Sequence, residues 1–313
     1  MRPGARLHGP PDQIRPIGVT RGGIRWLGAQ VWRACGRVDR NRRALYGGAT
    51  GLRIATFHGT PPGTLDHLRR VVDWWRERWP MATPADVDDL VAGQWRAGPM
   101  DRLLITFDDG LGSNHDAAVW LAKAGVQAVF FIVPSLLDRT IAQFLRYHDE
   151  RGVTAFPPVP AGETPGLSTS QVRELLAMGH RVGAHNFAHR DLGLLHDAGD
   201  LRYEIGQALD SVGELTGAEC RDFAIGFGQP HNVSAAAASY LGQRCTSVYS
   251  CHRGLNVPGR TPRFLLRHAH EPGHPLDFTR VCLEGGADHR LVDRLREMER
   301  RVGLLPASRE VAA

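Results

Sequence analysis

Lysine is almost absent from this chain: of its 38 basic residues, only Lys123 is not an arginine. Such a bias towards arginine is typical of a GC-rich genome and does not by itself indicate arginine-specific chemistry. The sequence shows neither a nucleic-acid recognition motif nor a basic stripe interleaved with aromatic residues. We therefore expect no nucleic-acid partner.

The chain also lacks a paired set of cysteines and a long apolar run. Its cysteines number 5, and none belongs to a Cys-x-x-Cys pair, which argues against a disulfide framework. No stretch reaches the roughly 18 consecutive apolar residues that a membrane-spanning helix needs. Residues 1–50 contain no apolar run long enough for a secretory signal. From these absences we expect a cytoplasmic protein.

The remaining composition is that of an ordinary folded enzyme domain. Hydrophobic residues make up 42% of the 313 residues and charged residues 23%, with a formal net charge of +5. One barrel of alternating strands and helices commonly reaches about 250 residues. We expect a basic N-terminal arm over 1–50, a single catalytic domain over 51–275, and a C-terminal helix and tail over 276–313. Helical spacing in that tail is carried by Leu291, Leu295 and Met298.

Apolar, β-branched runs alternate with helical patterns along the expected domain. Strands are predicted at residues 53–58, 103–107, 127–133, 181–185, 222–225, 246–249 and 263–268. A helix with buried tryptophans is predicted after the first strand from Leu65, Leu68, Val72, Trp75 and Trp79. This alternation predicts an α/β fold, a distorted (β/α) barrel of about seven parallel strands. Functional residues of such a barrel follow the carboxyl ends of the strands.

Two adjacent carboxylates, Asp108 and Asp109, stand between the predicted second strand and Gly110. At a strand end both can reach one pocket in different roles, because one can bind a cation while the other accepts a proton. Asp-Asp-Gly is also common in solvated turns, so the tripeptide alone does not establish a site.

Two histidines, His185 and His189, are spaced four residues apart. On one helical turn this spacing places the side chains side by side. Two neutral imidazoles and one carboxylate form a divalent metal site with open positions, and Asp109 fits as the third ligand. The chain has 15 histidines, however, so such a pair can also arise by chance. Asn186 stands where a His-Glu-x-x-His peptidase has its base, which leaves Asp108 as the candidate base.

Several segments resemble one known family in order and spacing. Thr106-Phe107-Asp108-Asp109-Gly110 and the later stretch from Met178 to His189 resemble the polysaccharide deacetylases of carbohydrate esterase family four, the NodB homology domain. Weaker similarity extends to Arg221–Gly228, where Gly226 replaces a usual proline. It also extends to two later residues, Gly254 and Asn256, and to the tripeptide Leu266-Arg267-His268. The resemblance covers about residues 51–275.

The resemblance implies a metal-dependent hydrolase that removes N-acetyl or O-acetyl groups from an amino-sugar polysaccharide or a lipid-linked glycan precursor. Exopolysaccharide biosynthesis in a bacterium is the corresponding setting. The cofactor would be one divalent metal, Zn²⁺ in the first place and Co²⁺ or Mn²⁺ as alternatives, and no oligomeric state is implied.

The same resemblance assigns two further roles. Arg221, or Arg267 in its place, would hold Asp108 ionised. His268, with His270 as the competitor, would protonate the leaving amine. The remaining role is to stabilise the oxyanion of the tetrahedral intermediate in hydrolysis. Glycine allows close approach of the backbone, so we expect the Gly226-Phe227-Gly228 turn to lie beside the substrate and to bind this oxyanion through an N–H.

Two other functions stay open. Another carbon–nitrogen hydrolase on the same barrel would cleave a cyclic imide or ureide, and it would differ mainly in the acid and the pocket lining. A non-catalytic glycan-binding relative is disfavoured, because a binding module needs no base beside a complete ligand set.

The N-terminal arm is strongly basic, since residues 1–50 hold ten arginines and two aspartates. Apolar residues at helical spacing and neighbouring tryptophans occur in it: Ile24, Leu27, Val31, Trp26 and Trp32. This pattern suits a helix lying on the inner face of a membrane, as a weak peripheral contact. The glycines of the arm instead favour a solvated arm or a helix packed on the domain.

Overall fold

A computed structural model describes residues 19–159, 164–259, 264–270 and 276–288 of the chain. The strands are β1 Leu52–Phe57, β2 Arg102–Phe107, β3 Ala128–Ile132, β4 Arg181–Ala184, β5 Asp222–Ala224, β6 Ser247–Tyr249, β7 Phe264–Leu265 and β8 His268–Ala269. The helices are α1 Val19–Ala34, α2 Arg37–Tyr46, α3 Pro62–Arg76, α4 Pro84–Val91, α5 Asn114–Lys123, α6 Ile141–Asp149, α7 Thr169–Ala177, α8 Ala198–Leu201, α9 Gln207–Thr216, α10 Ala235–Arg244 and α11 Leu276–Leu283.

The strands form one parallel sheet in the order β7-β6-β5-β4-β3-β2-β1-β8. Its two ends meet in the segment 264–269, because Leu265 pairs with Tyr249 of β6 while His268 pairs with Ala55 of β1. The predicted strand at 263–268 is thus divided into β7 and β8, each with its own partner, and residue 263 lies outside the described residues. The predicted α/β barrel of parallel strands is confirmed.

Side chains of the strands alternate between the barrel interior and the surrounding helices, as strand geometry requires. Ile54 and Leu104 belong to the interior cluster, whereas Ala55 and Ile105 belong to the larger cluster that contains helical residues such as Trp75. Both faces are therefore buried, which explains why β1 and β2 read as nearly continuous apolar runs.

The helix predicted from Leu65, Leu68, Val72, Trp75 and Trp79 is confirmed as α3, which begins three residues earlier and ends at Arg76. Helix α3 begins at Pro62, where proline is favoured in the first turn, and it buries Trp75 completely. Helix α7 follows Ser168, whose side chain accepts from the Gln171 N–H in a capping box.

The described part of the N-terminal arm is a helical hairpin, α1 and α2, that turns at Gly36 with φ of 66°. Ala29 and Val38 pack against Val281 of α11. The Arg42 guanidinium donates to both carboxylate oxygens of Asp101 at 2.6 and 2.7 Å. The glycines of the arm do not prevent this helical packing. Residues 1–18 and the predicted helix beyond residue 288 lie outside the described residues.

In the part of the chain that the structure describes, no helix combines the length and the apolar character needed to span a bilayer. None of the five cysteines, all of which lie in the described residues, forms a disulfide bond.

Candidate active site

The candidate site lies at the carboxyl edge of the sheet. Asp108 directly follows β2, and its N–H donates to the Phe57 carbonyl at 2.9 Å; His185 directly follows β4, and its N–H donates to the Ile132 carbonyl at 2.8 Å. Because ladder hydrogen bonds extend one residue past these strands, the backbone at both positions is fixed by the sheet.

The three predicted metal ligands converge. The Asp109 Oδ1 atom lies 3.6 Å from His185 Nε2 and 3.7 Å from His189 Nε2, and all three side chains are buried. The Nδ1–H of His185 donates to the Ala224 carbonyl at 2.6 Å, and that of His189 to the Phe156 carbonyl at 3.2 Å. A carbonyl only accepts, so each ring presents a bare Nε2 to the cluster.

Burial lowers the pKa of His189 to about 4, although Asp109 opposes the shift. The imidazole is therefore neutral at physiological pH, as a ligand must be. One carboxylate and two neutral imidazoles suit Zn²⁺, Co²⁺ or Mn²⁺, so the group could bind a divalent metal.

The backbone is strained where the site is built. Asp109, His189 and Phe227 have φ of 74°, 53° and 61°, in the left-handed region that disfavours residues with a Cβ. Among the described non-glycine residues only Asp138 shares this conformation. Strain concentrated at three neighbouring positions is typical of a functional site.

A buried ion pair holds the expected base. Arg267 donates from its two terminal nitrogens to the two oxygens of Asp108 at 2.7 and 2.8 Å. It also donates to the hydroxyls of Thr56 and Thr106 in the barrel interior. Burial alone would raise the pKa of Asp108, but Arg267, helped by His185, outweighs it and holds that pKa below its usual value. Asp108 is therefore a carboxylate.

The expectation that Arg221 orients Asp108 is wrong. Arg221 precedes β5, so it lies at the amino edge of the sheet, opposite the site. Its exposed guanidinium pairs with Glu219 at 2.7 Å. Arg267, the alternative considered from the sequence, takes this position.

The expected acid is also corrected. Arg267 points into the barrel, so the next residue, His268, points outwards, where its Nε2 lies 3.3 Å from Arg53 and 3.2 Å from the Gly254 carbonyl. Burial lowers the pKa of His268 to about 3. His270 also faces outwards, with its Nε2 3.3 Å from that of His67. Neither histidine contacts Asp109, His185 or His189, the candidate metal-binding group.

One histidine near the site was not predicted to act there. His58 directly follows β1, and its exposed imidazole is close enough to lower the pKa values of both Asp108 and His189, as a smaller contribution than burial. Phe57 pairs with Phe107, so His58 and Asp108 occupy equivalent positions on adjacent strands. A histidine directly after a strand beside β2 was the signal in the sequence.

The Gly226-Phe227-Gly228 turn lies against the metal-binding group. Asn186 accepts from the Gly226 N–H at 3.1 Å, and a proline at 226 would lack that donor. A Cβ at Gly228 would lie 2.4 Å from the Cys251 nitrogen. The ring of Phe227 lies 4.9 Å from the His189 ring and 6.4 Å from that of Phe156. These two partly exposed aromatic rings form a wall beside the cluster.

The model of the polysaccharide deacetylase family matches residues 96–246. These residues, just under half of the 313, belong to this family. The matched region contains both aspartates and both histidines of the candidate site: Asp108, Asp109, His185 and His189. His58 precedes this region and Arg267 follows it. Family membership makes the protein a hydrolase acting on non-peptide carbon–nitrogen bonds. A search of curated protein sequences finds no match.

Solved structures of deacetylases share the fold of this polysaccharide deacetylase. IcaB from Ammonifex degensii is 21% identical, with a TM-score of 0.58 over 76% of this chain and 98% of that one. Deacetylase PplD from Streptococcus pyogenes, in complex with acetate, is 14% identical, with a TM-score of 0.57 over 75% and 99%. A de-N-acetylase from Aggregatibacter actinomycetemcomitans is 15% identical, with a TM-score of 0.55 over 69% and 94%.

Proposed function

We propose that this protein is a metal-dependent deacetylase that removes N-acetyl groups from amino sugars in a polysaccharide or a lipid-linked glycan. The observation that carries the proposal is the buried group Asp109, His185 and His189 beside an ionised Asp108. The names of two neighbours in fold support it, since one is a de-N-acetylase and the other holds acetate, the product of deacetylation.

A divalent ion bound by Asp109, His185 and His189 would lower the pKa of a water molecule and polarise the acetyl carbonyl, and Zn²⁺ is the ion we propose. Asp108 accepts the proton of that water, because it is a carboxylate with no proton of its own. Arg267 fixes both oxygens of Asp108 and keeps this base ionised in a buried setting.

The turn offers one donor for the oxyanion. The N–H of Gly226 donates to Asn186, and the N–H of Gly228 donates to the Gly226 carbonyl at 2.7 Å. We therefore assign the oxyanion contact to the Phe227 N–H. His58 is exposed and occupies the position equivalent to Asp108 on the neighbouring strand, where it can deliver a proton to the leaving amine.

The test is acetate release from a panel of N-acetylated and O-acetylated oligosaccharides, with and without a chelator. We expect release from N-acetylated substrates that the chelator abolishes and Zn²⁺ restores. Asp108→Asn should retain about one metal per chain and lose turnover, because the amide keeps the shape and removes the base. Asp109→Asn should lose the metal. Chelator-resistant activity, or equal metal loss in both variants, contradicts the proposal.

A further inference from the structure

The outward face of α1 is apolar. Within residues 23–34, every exposed residue is uncharged. Ile24, Leu27 and Val31 project from this face with 72%, 58% and 52% of their surface exposed. Trp26 is beside them, and its indole N–H donates to Asp277. An exposed stripe of large apolar side chains marks an interaction surface rather than a solvated helix.

Two charged side chains of α1 that the structure describes, Arg25 and Arg33, are turned towards α11. The Arg25 guanidinium lies over the Phe278 ring at 5.5 Å, and Arg33 pairs with Glu284 of the same C-terminal segment at 3.7 Å. The inner face of α1 is occupied by this packing on α11, so the apolar stripe is its outer face.

The second helix of the hairpin supplies an exposed basic face. Arg37, Arg40 and Arg43 are exposed on α2, directly after the turn at Gly36. Across residues 19–46 a single acid, Asp39, stands against seven arginines: Arg21, Arg25, Arg33, Arg37, Arg40, Arg42 and Arg43. The hairpin therefore joins an apolar ridge to a strongly positive flank.

We propose that the α1–α2 hairpin binds an anionic lipid surface, with Ile24, Leu27 and Val31 inserted at the level of the headgroups and the arginines of α2 on the phosphates. An amphipathic surface with tryptophan at its edge and cations beside it suits that interface. A second copy of the chain suits the hairpin less well, since a symmetric contact would bring two arginine-rich flanks together. The proposal does not depend on the deacetylase reaction.

The test is cosedimentation of the full-length protein with phosphatidylcholine vesicles that contain or lack phosphatidylglycerol. We expect binding to the anionic vesicles only, and weaker binding at high salt. The triple variant Ile24→Ser, Leu27→Ser, Val31→Ser should bind at least about tenfold more weakly, as should Arg40→Glu, Arg43→Glu. These side chains are exposed, so the variants should unfold at the wild-type temperature.

Matched controls lie elsewhere on the surface. Leu194→Ser removes an apolar side chain that is 74% exposed, and Arg70→Glu, Arg76→Glu gives the same change in net charge on α3. Both controls should bind vesicles as the wild type does. Equal losses in hairpin and control variants, or no sedimentation of the wild type, overturn the proposal. It also fails if the serine variant changes the molecular mass in solution while vesicle binding is unchanged, because the stripe is then a protein interface.

Discussion

Arg267 is the only cation that touches the buried carboxylate of Asp108 among the described residues, and it reaches it with two short hydrogen bonds. Removing one partner of a buried ion pair typically costs about 3–5 kcal/mol, because the other charge stays buried without compensation. We expect Arg267→Met to lower the free energy of unfolding by about this amount, as measured by urea denaturation.

The double variant Asp108→Asn, Arg267→Met distinguishes charge from packing. With the carboxylate already neutral, the Arg267→Met change should cost clearly less than it does alone. Equal costs in both backgrounds would show that Arg267 stabilises the barrel through its packing against Phe131 and Tyr249 rather than through Asp108.

His58 provides a second prediction for a single residue. Because a general acid typically contributes 10²–10⁴-fold, we expect His58→Gln to lower kcat by about 10²-fold or more, while the metal content stays at the wild-type level. The control is His115→Gln on α5, where the imidazole pairs with Glu174 away from the site. A wild-type kcat in the His58 variant would show that another group acts as the general acid.

Sequence spacing brings the three candidate ligands together because Asp109 and His185 lie within two residues of a strand end, and His189 lies four residues after His185. It fails for Arg267 and His268, which are neighbours. Which of the two faces the barrel interior depends on the pairing of β8 with β1, and a shift of one residue would exchange their positions. That pairing joins residues more than two hundred positions apart, so local patterns carry little information about it.

A π-helical turn, Arg202–Gly206, supports the loop that carries His189. Its Glu204 is fully buried; the Phe187 N–H donates to the Glu204 carbonyl at 3.0 Å, and the Ala188 N–H donates to the Glu204 carboxylate at 3.1 Å. Such turns in α-helices often occur at functional sites. Glu204 thus holds the His189 loop in its strained conformation without contacting the metal-binding group.

We expect Glu204→Leu to weaken metal affinity by about 10–100-fold, a range typical for residues that position ligands. Glu204→Gln keeps an acceptor for the Ala188 N–H and should lose much less. Competition with a chelating dye measures both affinities. Unchanged affinity in the leucine variant would mean that the loop keeps its shape without Glu204.

The first six strands and the last predicted strand were predicted with different success. Strands β1 to β6 agree with the predicted runs within one or two residues, because burial on both faces gives continuous apolar runs. The last strand was predicted as one element and is two, since its residues exchange one pairing partner for another between Leu265 and His268. Apolar periodicity reports burial and says nothing about which neighbour a residue pairs with.

At the scale of the whole molecule, the metal-binding group joins the loop after β2 to the loop after β4. A ligand that binds only the folded state stabilises it by about 2.7 kcal/mol at one hundred times its Kd. We therefore expect Zn²⁺ to raise the Tm in thermal denaturation and a chelator to lower it. His185→Ala should show no such response. A Zn²⁺-dependent shift that persists in this variant would place the stabilising ion elsewhere.

The closure of the barrel by the segment 264–269 also orders events during translation. Asp108 leaves the ribosome 159 residues before Arg267, so both aspartates and both histidines of the site are synthesised while the cation is still missing. Burying the carboxylate at that stage is unfavourable, because it has no counter-charge. The nascent polypeptide must therefore keep the end of β2 hydrated until the segment 264–269 emerges, and the base of the enzyme is completed in the same step that closes the barrel.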